Sequence, residues 1–495
     1  MKLQYIVGQQ LSVGVRGFQE ILIRYLFLPE QLALWNLTQV IVTTGTLFQF
    51  NVLAAVNIRV AQRIGGKENE KEIDKTRTAA LLLELAQLLI VFAIILIFGP
   101  LVWDTPKNFS QVIFICAAIV MIQTSLINLL TGFHESSSKF RRLGFLLPLN
   151  SVLQLAIIYL GSYYGDLLGL FFGIILGFFV CILLLAISLH NQKLLEFKRP
   201  DRHEAFQIGR PAISIKLADV GTSLFYALDV ILASFWLTPV DLALFMTAKL
   251  MVGMLSQSIF AVNRMNLIKL GNDFGAKTVK SEIVNYLSIQ FFVTYIVLIP
   301  LIAVFSVPLL NFIFPLVLPE YEASLTVLPF FLLCILCSPR AIFLRNVWIQ
   351  SRAWNKIFVS GVFACTVFVS VFLVGGRIID TTTPEGLGLI IFLGQLPYAI
   401  YIIVAVSLFI AGKKQTILWC TMFVISTCEL ILILDIFDSI QLFGLSQSLT
   451  LTEKVMALPI LLGCAGLFSL NFLRKQENLI GRETYTKTLL RAVNR

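Results

Sequence analysis

The chain has 495 residues, 58% of them apolar and 13% charged, with a mean hydropathy of +0.87. Soluble domains carry roughly 45–50% apolar and about 25% charged residues, so this composition excludes a soluble globular fold, a disordered chain, a disulfide scaffold and a collagen-like fibre. The net charge of +10, from 38 Lys and Arg against 28 Asp and Glu, then asks on which side of a membrane the cations sit.

A spanning helix needs about 20 mostly apolar residues. Fourteen stretches meet that need: 4–28, 32–56, 79–103, 111–133, 145–163, 166–189, 211–237, 241–263, 284–314, 322–344, 357–376, 386–410, 416–442 and 455–473. Ten-residue β-barrel alternation is absent, so the predicted fold is an all-α integral membrane protein of about 14 transmembrane helices. Spans one and ten are interrupted by charge, at Arg16, Glu20, Arg24 and at Arg340. Span nine is over-long and holds Pro300 and Pro308, which predicts a bend or an extension into the interface.

The connections test that count. The ends and the loops after even-numbered spans hold 30 of the 38 basic residues, whereas the loops after odd-numbered spans hold 3. Cytoplasmic loops are the ones enriched in Lys and Arg, so both termini are predicted to be cytoplasmic. The remaining five, Arg16, Arg24, Lys216, Lys249 and Arg340, fall within spans. No cleavable signal pattern precedes them. All eight cysteines fall in spans, where small apolar packing is the expectation.

An internal repeat appears at an offset of 210 residues. Pro29-Glu-Gln-Leu-Ala-Leu-Trp35 aligns with Pro239-Val-Asp-Leu-Ala-Leu-Phe245, and Ile58, Gly65, Lys67 and Glu72 meet Ile268, Gly275, Lys277 and Glu282. That offset covers six helices, an even number, so both copies keep one orientation. The predicted organisation is two six-helix lobes related by a pseudo-twofold repeat, 1–210 and 211–410, followed by helices thirteen and fourteen and a basic cytoplasmic tail in 411–495. Parallel repeats of this kind are a transporter architecture.

The P-x-x-L-A-L-aromatic turn and the basic amphipathic loop from Arg59 to Arg77 carry a family resemblance. So do the run Tyr164-Gly165, Leu168-Gly169, Gly173, Gly177 and the segment from Gln350 to Lys356. Together they resemble the polysaccharide-flippase branch of the multidrug/oligosaccharidyl-lipid/polysaccharide exporter superfamily. The resemblance covers nearly the whole chain. It implies a transporter in the inner (cytoplasmic) membrane that flips a lipid-linked oligosaccharide outward by alternating access. Implied partners are that cargo, the bilayer, and the polysaccharide polymerase or ligase machinery.

Such a cargo combines phosphate, sugar and a polyprenyl tail, and needs cations hidden from lipid. Ionisable groups at membrane depth usually face a bundle interior or a wet cavity. Arg16, Glu20 and Arg24 stand at i, i+4 and i+8 on span one, a stripe with a local charge of +1 suited to phosphate. Lys249 lies deep in span eight. Arg16, Arg24 and Lys249 are therefore the candidate cargo-binding cations. Glu20, Asp219, Asp229 and Glu429 are the candidate ion-coupling groups or charge partners. Lys216 and Arg340 lie near cytoplasmic ends, where snorkelling is expected, and Glu84 is similarly shallow. Gly169, Gly173 and Gly177 have the spacing of close helix packing.

Enzyme signals are missing from the sequence. His134, His190 and His203 show no metal-ligand spacing, and Gly65-Gly-Lys67 lacks the earlier glycine of a phosphate-binding loop. Neither catalysis, a metal, a cofactor nor a nucleic-acid partner is expected. Two alternatives stand beside the flippase: a small-molecule or multidrug exporter of the same superfamily, and a non-transporting scaffold of a polysaccharide assembly complex.

Overall fold

The computed structural model describes residues 2–65, 70–103, 110–137, 140–192, 202–256, 280–337, 345–351, 353–410 and 412–436, with positions 259 and 270. Span fourteen, Arg340 and the basic tail lie outside these residues, as does the side chain of Asp219. All regular structure among the described residues is helical.

Span one is α1 (Lys2–Leu26), and Pro29 opens α2 (Pro29–Gly45). Proline fits the first helical turn because an N–H there has no intrahelical acceptor. The Gln31 side chain completes the start by accepting the Leu28 N–H at 3.0 Å. The repeat copy uses the same device. Between α7 (Arg202–Trp236) and α8 (Pro239–Leu255), the Thr238 hydroxyl accepts the Asp241 N–H at 3.2 Å, and Pro239 stands at the first position.

Span two is broken, which its sequence did not predict. α2 ends in a 3-10 turn (Thr46–Phe48), and α3 (Val52–Gly65) leaves at 57°. The break exposes backbone polar groups, and side chains on other helices satisfy them. On α4 (Glu70–Val102), Gln87 accepts the Phe50 N–H at 2.7 Å and donates to the Phe50 carbonyl at 3.3 Å. Lys216 of α7 donates to the Thr46 carbonyl at 3.2 Å. The Thr46 carbonyl thus accepts twice, from Lys216 and from the Gln49 N–H of the 3-10 turn at 3.3 Å. Glu84 is 5% exposed and accepts from the Gln87 amide.

α5 (Ser110–Ser136) is span four, and α6 (Phe140–Asn191) contains spans five and six. The two arms of α6 reverse at Gly165 and Asp166, the latter at a φ of 49°. Their antiparallel packing depends on glycine: a Cβ on Gly169 would fall 1.9 Å from the Gly161 carbonyl oxygen. The same device presses α1 onto the first arm, where a Cβ on Gly8 would fall 1.9 Å from the Gly144 oxygen.

Span nine comprises α9 (Lys280–Phe292), a π-helical turn (Val293–Leu298) and α10 (Ile299–Val317). The irregularity precedes Pro300, whose missing N–H leaves the carbonyl four residues earlier without its helical donor. Span ten is a 3-10 turn (Pro319–Thr326) bent by 48° from α11 (Leu328–Cys337). A short α12 (Arg345–Gln350) leads to α13 (Trp354–Gly375), α14 (Pro384–Ile410) and α15 (Lys413–Ile436), which are spans eleven to thirteen. By length and composition, seven described helices can cross a membrane, or ten if each bent pair is one span. The second arm of α6, the charged α1 and the short α8 supply the others of spans one to thirteen.

The helices pack as two groups. α1 lies along α6, α6 along α5, and α5 against α2 and α4. α7 lies along α13, α13 along α14, and α14 against α11 and α15. The groups meet where α2 crosses α8 and where α3 and α4 meet α7. α7 serves both: Ile208, Ala212 and Ile215 share a core with Val56, Leu129 and Leu143, whereas Phe225 packs on Phe368 and Tyr398. Large apolar side chains such as Leu101, Phe172, Phe305 and Phe312 remain exposed, as a lipid-facing surface permits.

Gly169→Ala is expected to destabilise the fold by about 1–3 kcal/mol, the usual cost of overpacking. Gly165→Ala, whose Cβ meets nothing within 4 Å, is expected to be neutral. Thermal unfolding of the two variants in detergent checks both.

Candidate functional site

Two adjoining chambers, of about 280 and 240 Å³, run along α1 within the first group of helices. They share Gln19, Glu20, Thr124, Gln154 and Phe178. Each contributing helix presents one face, at spacings of three and four residues. α1 supplies Gln9, Ser12, Arg16 and Gln19; α5 supplies Thr124, Asn128 and Thr131; the first arm of α6 supplies Asn150 and Gln154. The second arm adds Phe178 and Cys181, and α2 adds Trp35, Gln39 and Thr43. From the other group of helices comes Leu250 of α8.

The larger chamber is mainly apolar, and the smaller one is lined by amides and hydroxyls together with apolar residues. Ser12 and Ser151 hydroxyls bond each other at 2.6 Å behind it. The Gln19 Oε1, Thr131 Oγ1 and Asn150 Oδ1 atoms are buried without a hydrogen-bond partner among the described residues. These residues are 8%, 6% and 4% exposed. Buried polar atoms are rarely left unsatisfied, and these three belong to residues that line the smaller chamber.

The predicted cations are dispersed around this space. Arg16 lines the smaller chamber. Glu20 stands where the chambers meet, and its Oε2 accepts Arg24 Nη1 at 2.5 Å. Arg24 is 4% exposed and also donates from Nε to the Thr247 hydroxyl of α8 at 2.9 Å, bridging the two groups of helices. Nearby, the Tyr321 hydroxyl donates to the Phe27 carbonyl at 3.0 Å. Lys249 and Asp229 form an ion pair at 2.5 Å between α8 and α7, apart from the chamber lining. Glu429 on α15 is 4% exposed, with neither carboxyl oxygen partnered among the described residues.

Sequence reasoning found the charges but missed the amides. The signal was present as Thr124, Asn128 and Thr131 in span four and as Asn150 and Gln154 in span five, polar residues at helical spacing inside otherwise apolar stretches. Cys334 and Cys337, three apart on α11, are buried free thiols.

No family profile and no curated relative matches the chain. Solved structures do. A mutant of the Vibrio cholerae MATE transporter VcmN aligns at a TM-score of 0.62 and 13% identity, covering 84% of this chain and 97% of that one. A MATE transporter in complex with MaL6 aligns at 0.61 and 14%, covering 84% and 96%. An outward-facing multidrug resistance MATE family transporter of the MOP superfamily gives 0.61 and 14%, covering 84% and 96%. The fold is therefore that of MATE transporters, and its long apolar helices fit a multi-pass membrane protein.

Removing Lys249 would strand the buried Asp229 carboxylate. Because the Lys249 side chain is 31% exposed, Lys249→Met is expected to cost on the order of 2–3 kcal/mol, below the roughly 3–5 kcal/mol of a fully buried pair. Adding Asp229→Asn is expected to recover most of that loss, as measured by unfolding of the single and double variants.

Proposed function

We propose that the chain moves a polyprenyl-(pyro)phosphate-linked oligosaccharide from the cytoplasmic to the outer leaflet by alternating access, in the assembly of cell-surface polysaccharide. The observation that supports this reading is the chamber lining: amides and hydroxyls around one guanidinium, with Gln19, Thr131 and Asn150 holding unpartnered polar atoms. Sugar hydroxyls donate to and accept from such groups, and a guanidinium matches phosphate with paired donors. Arg16 holds the phosphate in this scheme. Glu20 at the junction of the chambers is paired with Arg24.

Arg24 and Lys249 serve the cargo along the seam with α8 as the two groups of helices separate. Asp229 then acts as the charge partner of Lys249. The basic loops and both termini face the cytoplasm, and the protein resides in the inner membrane beside the polymerase or ligase that consumes its cargo.

Likeness in fold to a multidrug resistance MATE family transporter supports a second reading, export of small molecules. A cationic drug favours acidic and aromatic walls. Here the chamber's carboxylate, Glu20, is already tied to Arg24.

Reconstituted vesicles separate the readings. Wild type is expected to carry a lipid-linked oligosaccharide across the bilayer, and folded Arg16→Ala to do so roughly 10- to 100-fold more slowly, the value of about 1.5–3 kcal/mol for a charged hydrogen bond. Unchanged flipping by folded Arg16→Ala removes the proposed site. Cationic dye efflux without flipping by wild type replaces the reading with the exporter one.

A further inference from the structure

Several acids in the helices of this protein have a hydrogen-bond donor beside them. Glu20 has Arg24, Asp229 has Lys249, Glu84 accepts from Gln87 Nε2 at 2.5 Å, and Glu135 accepts from the Tyr5 hydroxyl at 2.8 Å. Glu429 has none among the described residues, although it is 4% exposed.

The register of α15 locates it. α15 runs alongside span nine in the same direction: Gln415 donates to the Ser288 hydroxyl at 2.6 Å, Trp419 stacks on Phe291 at 6.0 Å, and Ser426 donates to the Tyr295 carbonyl. Three residues beyond Ser426, Glu429 stands level with the passage from the π turn into α10. There the backbone is irregular, and Pro300 supplies no N–H. π turns within helices are frequent at functional positions.

Among the described residues, the elements packed against α15 bring no counter-charge to this level. The π turn, α10, α11 and α14 contain no Lys, Arg or His. Their titratable groups are Tyr295, Cys334, Cys337, Tyr398, Tyr401 and, at the far end of α14, Glu385. The Tyr295 hydroxyl is committed to the Leu336 carbonyl at 3.3 Å. α9 adds Lys280, Glu282 and Tyr286, several turns away, and α15 itself carries Lys413, Lys414, Cys420, Cys428 and Asp435. A bare carboxylate in such surroundings loses its hydration with nothing in return. One carboxyl group without a neighbouring cation matches a single proton.

We propose that Glu429 is a proton-binding site within the membrane. It is loaded in the arrangement described here and unloaded when α15 shifts against the π turn and the carboxylate meets water, so one proton is bound and released per transport cycle. The coupling rests on the transport reading above; the proton site does not.

Dicyclohexylcarbodiimide tests the site directly, because it adds to carboxyl groups that hold a proton in apolar surroundings and leaves a stable N-acylurea. Peptide mapping of the purified, folded protein is expected to place an adduct on Glu429. Its yield is expected to fall several-fold between pH 6 and pH 10, and Glu429→Gln is expected to show none there. No adduct on Glu429, or a yield indifferent to pH, overturns the site whatever the cargo proves to be. In vesicles, an imposed pH gradient is expected to speed cargo movement by wild type and not by folded Glu429→Gln. A labelled Glu429 whose Gln variant still responds to the gradient overturns the coupling. Absence of flipping by wild type strikes the transport reading and leaves the labelling result standing.

Discussion

A polar atom in the core of a bilayer has no water to turn to, so its partner must come from the protein. That constraint explains where this chain places its scarce polar residues. The break between α2 and α3 persists because Gln87 satisfies both backbone groups of Phe50 and Lys216 reaches the Thr46 carbonyl. Arg24 is tolerated beside Glu20 and Thr247, and Lys249 beside Asp229. Each is a long-range agreement between helices, so the polar contacts also fix which helices are neighbours.

That rule has exceptions scattered over the described helices, at Asn36, Gln123, Thr222 and Ser324 among others. Gln19, Thr131 and Asn150 leave polar atoms unanswered along one chamber, and Glu429 leaves two oxygens unanswered beside a π turn. The chamber and Glu429 also lie in different groups of helices. On the proposed reading, cargo recognition and proton binding would be separated, joined through the seam at α2, α7 and α8.

Much of this was legible in the sequence. The spans, the repeated proline turn and the stripe of Arg16, Glu20 and Arg24 follow from residue type and helical spacing, both local properties. The turns bear this out, for Pro29 and Pro239 each open a helix. What escaped depends on partners far along the chain. Lys216 and Thr46 are 170 residues apart, and nothing near Lys216 announces a carbonyl waiting on another helix. The chamber amides were overlooked because Asn, Gln and Thr carry no charge and barely disturb an apolar average. Glu429 was visible as a carboxylate, but its isolation is a property of α10, α11 and α14 together.

The central claim is that the chamber along α1 receives the cargo. A lipid-linked oligosaccharide bearing a photoreactive diazirine on its first sugar, irradiated with the reconstituted protein and mapped by peptide sequencing, tests it most directly. The account predicts cross-links on α1, α5 and both arms of α6, competed away by unlabelled cargo. Cross-links confined to α13, α14 and α15, or none that unlabelled cargo displaces, would contradict it.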